Sequence, residues 1–128
     1  MKKFWTQFFT WWNGQTLGTR FWTWRHGQFV GEDEFGNRYY SDKKGTRRWV
    51  IYNGPAEASA IPPGWHGWMH YRVDTPPSAE TYKPHEWEKS HLPNLTGSPA
   101  AYRPPGSVLS GKHRPQVTGD YDAWTPGN

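Results

Sequence analysis

Cysteine is absent from the chain, which excludes disulfides, thiolate-bound zinc, iron–sulfur ligation and thiol nucleophiles. That fits a reducing compartment. Aliphatic side chains are scarce too: hydrophobic residues make up 34% of the sequence, against roughly 45–50% for ordinary globular domains counted with glycine. No apolar run approaches the length needed to span a bilayer. Lys2-Lys3 followed by apolar residues resembles the start of a signal peptide. Thr6, Gln7 and Thr10 interrupt it, however, and no small-residue cleavage site follows, so the N-terminus reads as mature. Residues 1–31 contain no acid. No nucleophile elbow occurs, and the glycines around 31–36 frame Glu32, Asp33 and Glu34, which would repel a phosphate.

What the chain does have is aromatic. Ten Trp, seven Tyr and six Phe are distributed over 128 residues, with twelve Pro and fourteen Gly. Trp and Tyr bury large areas yet keep a polar tip, which suits interfaces better than dry cores. So many Pro and Gly work against long regular elements, and the length allows one domain at most. The expectation is a small folded nucleus with long arms. The net charge of +4 is confined to residues 1–64, which carry nine Lys/Arg against five Asp/Glu; the second half is balanced at six each. Lys2, Lys3, Arg20 and Arg25 give the N-terminal arm an anionic neighbour: lipid headgroups, nucleic acid or an acidic protein surface.

Along the chain, residues 2–12 predict an amphipathic helix. At 100° per residue Phe4, Trp5, Phe8, Phe9, Trp11 and Trp12 share one broad face, and Lys3, Thr6, Gln7 and Thr10 fall outside it. So short a helix needs something to dock on, whether a membrane interface, a partner's groove or the chain's own nucleus. Phe21, Trp22 and Trp24, with Arg20 and Arg25, extend this character through residues 1–25. Residues 28–42 predict a hairpin turning at Gly36-Asn37, between Phe29-Val30 and Tyr39-Tyr40. Residues 47–53 predict a third strand, with Trp49 and Ile51 on one face and Val50 and Tyr52 on the other. After Pro62-Pro63, the spacing of Trp65, Trp68 and Met69 predicts one short helix covering the sheet. These elements form a nucleus over residues 26–75. Residues 76–128 hold nine of the twelve prolines and no sustained period. Their spaced aromatics (Tyr82, Trp87, Tyr102, Tyr121, Trp124) read as anchors for successive partner pockets, which a plain linker would lack.

His66 and His70 stand four apart, as zinc ligands on a helix do, but Gly67 occupies the place of the HExxH glutamate and no third ligand is evident. Interface or core histidines are the better reading. Asn94-Leu95-Thr96 matches a glycosylation acceptor, though such tripeptides are common by chance. Basic charge interleaved with rings also suits single-stranded nucleic acid. The basic-Gly-aromatic-Gly signature is missing and Glu32-Asp33-Glu34 sits in the hairpin, yet the residues alone leave that reading open.

Gly31-Glu32-Asp33, Gly36-Asn37, Tyr39-Tyr40 and Arg48-Trp49-Val50 with Tyr52 resemble a small accessory-subunit family of respiratory complex I, NADH:ubiquinone oxidoreductase. The paralogue of that family is the assembly factor mimitin. The likeness continues through Pro62-Pro63-Gly64-Trp65-His66, Trp68, His70, Asp74 and Pro76-Pro77. It resumes at Asn94, Thr96-Gly97, Pro99, Tyr102 and Pro104, covering residues 28–106 in all. The resemblance implies a non-catalytic subunit without cofactor or metal, stabilising the peripheral arm where the NADH-oxidising and quinone-reducing modules join. Its partners would be core subunits, with possible lipid contact through the N-terminal helix and neither nucleic acid nor a small-molecule substrate. Retention of Asn94-Leu95-Thr96-Gly97-Ser98-Pro99 favours the subunit over the assembly-factor branch. The Trp-rich residues 1–25 and the lack of a transit peptide imply a bacterial member, of alphaproteobacterial type, on the cytoplasmic side of the inner membrane.

The expected fold is therefore small α+β: an N-terminal amphipathic helix, an antiparallel β-meander, one short helix and an extended Pro-rich C-terminal arm. The expected partner contacts are Phe4, Phe8, Trp12, Trp49, Trp65, His66, Trp68, His70, Trp87, Asn94, Tyr102 and Trp124. No catalytic, cofactor-binding or metal-ligating residue is expected.

Overall fold

The computed structural model describes residues 2–10 and 14–127. The elements run α1 (Lys2–Phe9), α2 (Leu17–His26), β1 (Gly27–Glu32), β2 (Arg38–Asp42), β3 (Arg48–Ile51) and α3 (Pro63–Met69), with a 3-10 turn at Ala58–Ala60 before α3. This is the expected small α+β fold with its β-meander, in strand order β1-β2-β3. The chain groups into two compact units, residues 1–94 and 95–128.

The two expected helices become three among the described residues. Residues 17–26 form α2 because Thr16 caps it, its Oγ1 accepting from the Thr19 N–H at 3.2 Å. Aromatic composition alone had concealed that start signal. α1 covers Lys2–Phe9, and Trp11–Asn13 lie outside the described residues.

The first hairpin turns earlier than Gly36-Asn37. Asp33 Oδ1 accepts from the backbone N–H groups of Phe35 (2.9 Å) and Asn37 (3.0 Å), which starts the reverse turn at Asp33. The Gly36 N–H closes that turn onto the Asp33 carbonyl at 3.1 Å. Gly36 follows at φ +81°, the left-handed conformation glycine adopts without strain. Asn37 becomes a buried tie: its Nδ2 donates to Asp33 at 2.9 Å, and its Oδ1 accepts from the Asn53 N–H at 3.0 Å. The hairpin tip is thereby fastened to the end of β3.

Pairing of β1 with β2 slips between Phe29, opposite Tyr40, and Gly31, opposite Tyr39. Val30 is the extra residue of this bulge, and it packs against the core. Alternation then sends Tyr39, Val50 and Tyr52 to one face of the sheet, where α3 lies. Tyr40, Trp49 and Phe29 take the other face, with Tyr40 and Trp49 stacked at 6.3 Å. Pro63 occupies the first turn of α3, where its missing N–H costs nothing. The helix ends when Tyr71 N–H bonds the Trp68 carbonyl and Arg72 N–H bonds the Gly67 carbonyl, with Tyr71 at φ +59°.

The core is Tyr39, Ile61, Trp65 and Trp68, with Val30, Val50, Tyr52 and Met69 packed against it. Trp65 lies flat on Tyr39 (4.0 Å, 4° between planes), and Trp68 meets both rings edge-on. A Cβ on Gly31 would stand 2.7 Å from the Trp65 ring, so the bulge needs glycine there. Arg48 locks α3 down: it donates to the carbonyls of Trp68 (2.6 Å) and Val73 (3.1 Å), pairs with Asp74, and lies over the Trp68 and Tyr71 rings. Residues 76–94 have no helix or strand but are pinned to the nucleus. Ser78 Oγ donates to the Val30 carbonyl (2.9 Å), His91 Nε2 meets the Ser59 carbonyl (2.7 Å) and Asn94 N–H donates to Ser59 Oγ (3.0 Å).

Candidate interaction surfaces

α1 is mounted inside out. Its polar residues Thr6 and Gln7 are half-buried, and Gln7 Oε1 accepts from Arg20 of α2 at 3.4 Å. Its rings, Phe4, Trp5, Phe8 and Phe9, face solvent and pack on one another in a run of edge and stacked contacts. α2 repeats the arrangement. Thr23 is its buried residue, accepting from Trp49 Nε1 at 2.9 Å, while Phe21, Trp22 and Trp24 are exposed. Exposed aromatic area on this scale marks a surface meant to be covered.

Beside α2 the turn from β2 to β3 brings Lys43, Lys44 and Arg47 together with Arg25 and Trp22 around a cleft of about 480 Å³. The Arg47 guanidinium lies 5.9 Å from the Trp22 ring centre. Asp42 is the acid in the lining, and hydrogen bonds, chiefly from Thr46 Oγ1 at 2.6 Å, hold its pKa below the usual carboxylate range. A second cleft, of about 820 Å³ and mostly apolar, lies between α3 and residues 73–89, lined by Pro62, Trp65, Val73, Pro77, Tyr82 and Trp87. Tyr82 donates to Glu88 at 2.5 Å, and that bond raises the phenol pKa.

The expected contacts separate by environment. Phe4, Phe8 and Trp87 are exposed, the last at 77%. Trp65 and Trp68, at 5% and 3%, are core residues, so their rings are not available to a partner; helical spacing could not tell a core-facing from a partner-facing Trp. Trp49 is half-buried beneath α2. His66 and His70 lie on the exposed side of α3 with ring centres 4.1 Å apart. Among the described residues no group of three metal-ligating side chains assembles. Asn94 ends the first unit, and Trp12 lies outside the described residues. In the second unit Tyr102 and Trp124 are 82% and 77% exposed. That unit is a series of turns held by local bonds, such as Arg114 to Asp120 at 2.6 Å and Gly106 N–H to the Lys112 carbonyl at 2.8 Å. Trp22, Trp24 and the Lys43-Lys44-Arg47 cluster stand outside the expected list, and the structure places them on the surface around one cleft or beside it, although the basic turn was legible.

A small antiparallel sheet with α3 packed on one face and α2 against the other, and with exposed rings and clefts around them, defines a small α+β protein. The family model for NADH ubiquinone oxidoreductase subunit NDUFA12 matches residues 27–126, and the chain belongs to this family. It is 42% identical over 89 residues to NADH dehydrogenase [ubiquinone] 1 alpha subcomplex subunit 12 of Bos taurus, covering 59% of this chain and 61% of that one. It is 32% identical over 106 residues to alpha subcomplex subunit N7BM of Yarrowia lipolytica, covering 76% and 70%. An uncharacterized protein of Rickettsia prowazekii is 43% identical over 54 residues, covering 38% of this chain and 54% of its own, in keeping with a member of bacterial type. The chain spans about three fifths of the length of the mammalian relatives it matches. Residues 1–26 lie outside the family match.

Proposed function

We propose that this chain is a non-catalytic accessory subunit of respiratory complex I, bound to core subunits of the peripheral arm. It stabilises the join between the NADH-oxidising and quinone-reducing modules, on the cytoplasmic side of a bacterial inner membrane. Membership of the family supports the assembly, and one structural observation supports this mode of action: the exposure of Trp87, Tyr102 and Trp124 along residues that have no helix or strand. An ordered residue costs roughly 1–2 kcal/mol of backbone entropy. Residues 76–128 contain few aliphatic groups to offset that cost by themselves, and pockets on a partner would supply the missing burial. The functional segments are then 1–25, 26–75 and 76–128, the last acting as the partner-bound arm.

Purification of the tagged chain from detergent-solubilised membranes tests this reading. The expected result is a fixed-stoichiometry set of complex I subunits with NADH dehydrogenase activity. Tyr102→Ala or Trp124→Ala should weaken retention under mild salt. Capture of assembly intermediates alone would favour an assembly factor, and RNase-sensitive association a nucleic-acid module; either outcome would displace the subunit reading.

A further inference from the structure

We propose that α1, α2 and the β2–β3 turn together form a docking surface for an anionic lipid bilayer. Three independent features converge on it. The first is orientation: α1 turns Thr6 and Gln7 inward and Phe4, Trp5, Phe8 and Phe9 outward, the reverse of a helix serving its own core. The second is composition: Trp5, Trp22 and Trp24 are exposed, and Trp favours the membrane–water interface, with its ring among acyl chains and its N–H at the headgroups. The third is charge: residues 1–31 carry Lys2, Lys3, Arg20 and Arg25 and no acid.

The basic cleft adds the headgroup site. Arg25, Lys43, Lys44 and Arg47 face one another across it against the single carboxylate of Asp42, which is already engaged by Thr46 and by the Arg47 N–H. His26 lines the same cleft, and its Nδ1 is enclosed without a hydrogen-bond partner. Trp22 joins the two regions, exposed on α2 and forming one wall of the cleft. Rings enter the acyl boundary while the cations meet phosphates, the division of labour of an interfacial amphipathic helix. A protein groove would also accept the rings. The excess of positive charge, Arg25, Lys43, Lys44 and Arg47 against Asp42, favours a bilayer of anionic lipids. No helix among the described residues is long and apolar enough to cross a membrane, so the chain would lie on the surface.

This inference stands apart from the subunit assignment, because its test needs no other subunit. The full chain is sedimented with phosphatidylcholine vesicles with and without phosphatidylglycerol. Binding should require phosphatidylglycerol and fall with salt. Lys43→Ala and Lys44→Ala should each weaken it about fivefold, the partition factor for a surface charge worth about 1 kcal/mol. Trp24→Asp should abolish it. Val108→Asp, which alters an exposed apolar side chain far along the sequence, should leave it intact. Circular dichroism on each variant separates lost binding from lost folding. Equal binding to both vesicle types, none to either, or equal loss from Trp24→Asp and Val108→Asp would overturn the proposal.

Discussion

α2 and α3 flank one sheet, and they use tryptophan in opposite ways. α3 is seven residues long, contains two glycines, and still places Trp65 and Trp68 in the core against Tyr39. α2 is longer and better capped, yet buries Thr23 and turns Trp22 and Trp24 to solvent. α3 is thus held by packing on a face where Gly31 gives Trp65 room, while α2 is held by a cap, a Trp49–Thr23 hydrogen bond and its continuation into β1. Tryptophan content therefore says nothing about which helix is structural. What decides is which side of the sheet offers a cavity of the right shape.

The largest effect that would break this contrast is at its centre. Trp65→Ala should cost about 3–5 kcal/mol, the range for truncating a buried large aromatic. Trp24→Ala should stay within about 0.5 kcal/mol, as exposed changes do. Denaturant titration of both variants measures the difference, and comparable losses would mean that α2 packs as tightly as α3. Next comes the tie that positions the α3 face. Asn37→Ala removes partners from Asp33 and from the Asn53 N–H at a site 3% exposed, and should cost about 2–3 kcal/mol by leaving polar groups unsatisfied. An unchanged melting curve would show that the hairpin tip is not fastened as described.

These two sites also mark what the sequence disclosed. Strand alternation placed Val50 and Tyr52 opposite Trp49 and Ile51, and the structure agrees for Val50, Tyr52 and Trp49. Periodicity found α3 because Trp65, Trp68 and Met69 recur on one side, with Pro63 marking the start. It could not place the hairpin turn, because the competition between Gly36-Asn37 and an Asp33-initiated turn is decided by side-chain hydrogen bonds and a contact to Asn53 sixteen residues on. Nor could it orient α1: an amphipathic pattern states that two faces differ, and the partial burial of Thr6 and Gln7 with the Arg20–Gln7 contact shows which one meets the protein. The basic cleft assembles from residues 22–26 and 42–47, and its members were separately visible as charges without any sign that they meet.

A smaller, pH-dependent effect sharpens the contrast between the two sheet faces. Tyr39 is fully buried, and burial, then its hydrogen bond to Asp33 Oδ2 at 2.7 Å, pushes its phenol pKa up from the ordinary value of 10.0. The folded state therefore favours the neutral phenol. Its contribution is fully present below pH 10 and is lost as pH rises toward the folded value, by at most about 1.4 kcal/mol per pH unit for one proton. Melting temperatures should fall above pH 10, and less steeply in Tyr39→Phe. At neutral pH that variant should lose about 1–2 kcal/mol, because Asp33 forfeits a donor. Identical alkaline slopes would assign the loss to other groups, of which Tyr52, also raised by burial, is the next candidate.

The smallest effect tests how α3 ends. Tyr71 occupies the left-handed position that usually belongs to glycine, at φ +59°. Replacement by Gly relieves about 1 kcal/mol of backbone strain. Against that gain, glycine loosens the unfolded chain by roughly 0.5–1 kcal/mol, which removes most of the relief. The side chain makes three further contacts: its hydroxyl donates to the Thr46 carbonyl at 2.9 Å and accepts from the Arg48 N–H at 3.1 Å, and its ring lies 4.6 Å from the Arg48 guanidinium. Each is partly exposed and worth about 0.5–1 kcal/mol. The balance predicts that Tyr71→Gly is destabilising by at least about 1 kcal/mol despite the strain it removes. Tyr71→Phe keeps the ring and loses the hydroxyl, so it should cost less than Tyr71→Gly. Thermal melts of the pair decide the matter. A stabilised Tyr71→Gly would show that strain outweighs the bridge from α3 to the β2–β3 turn, and that the ring contributes nothing to holding that turn in place.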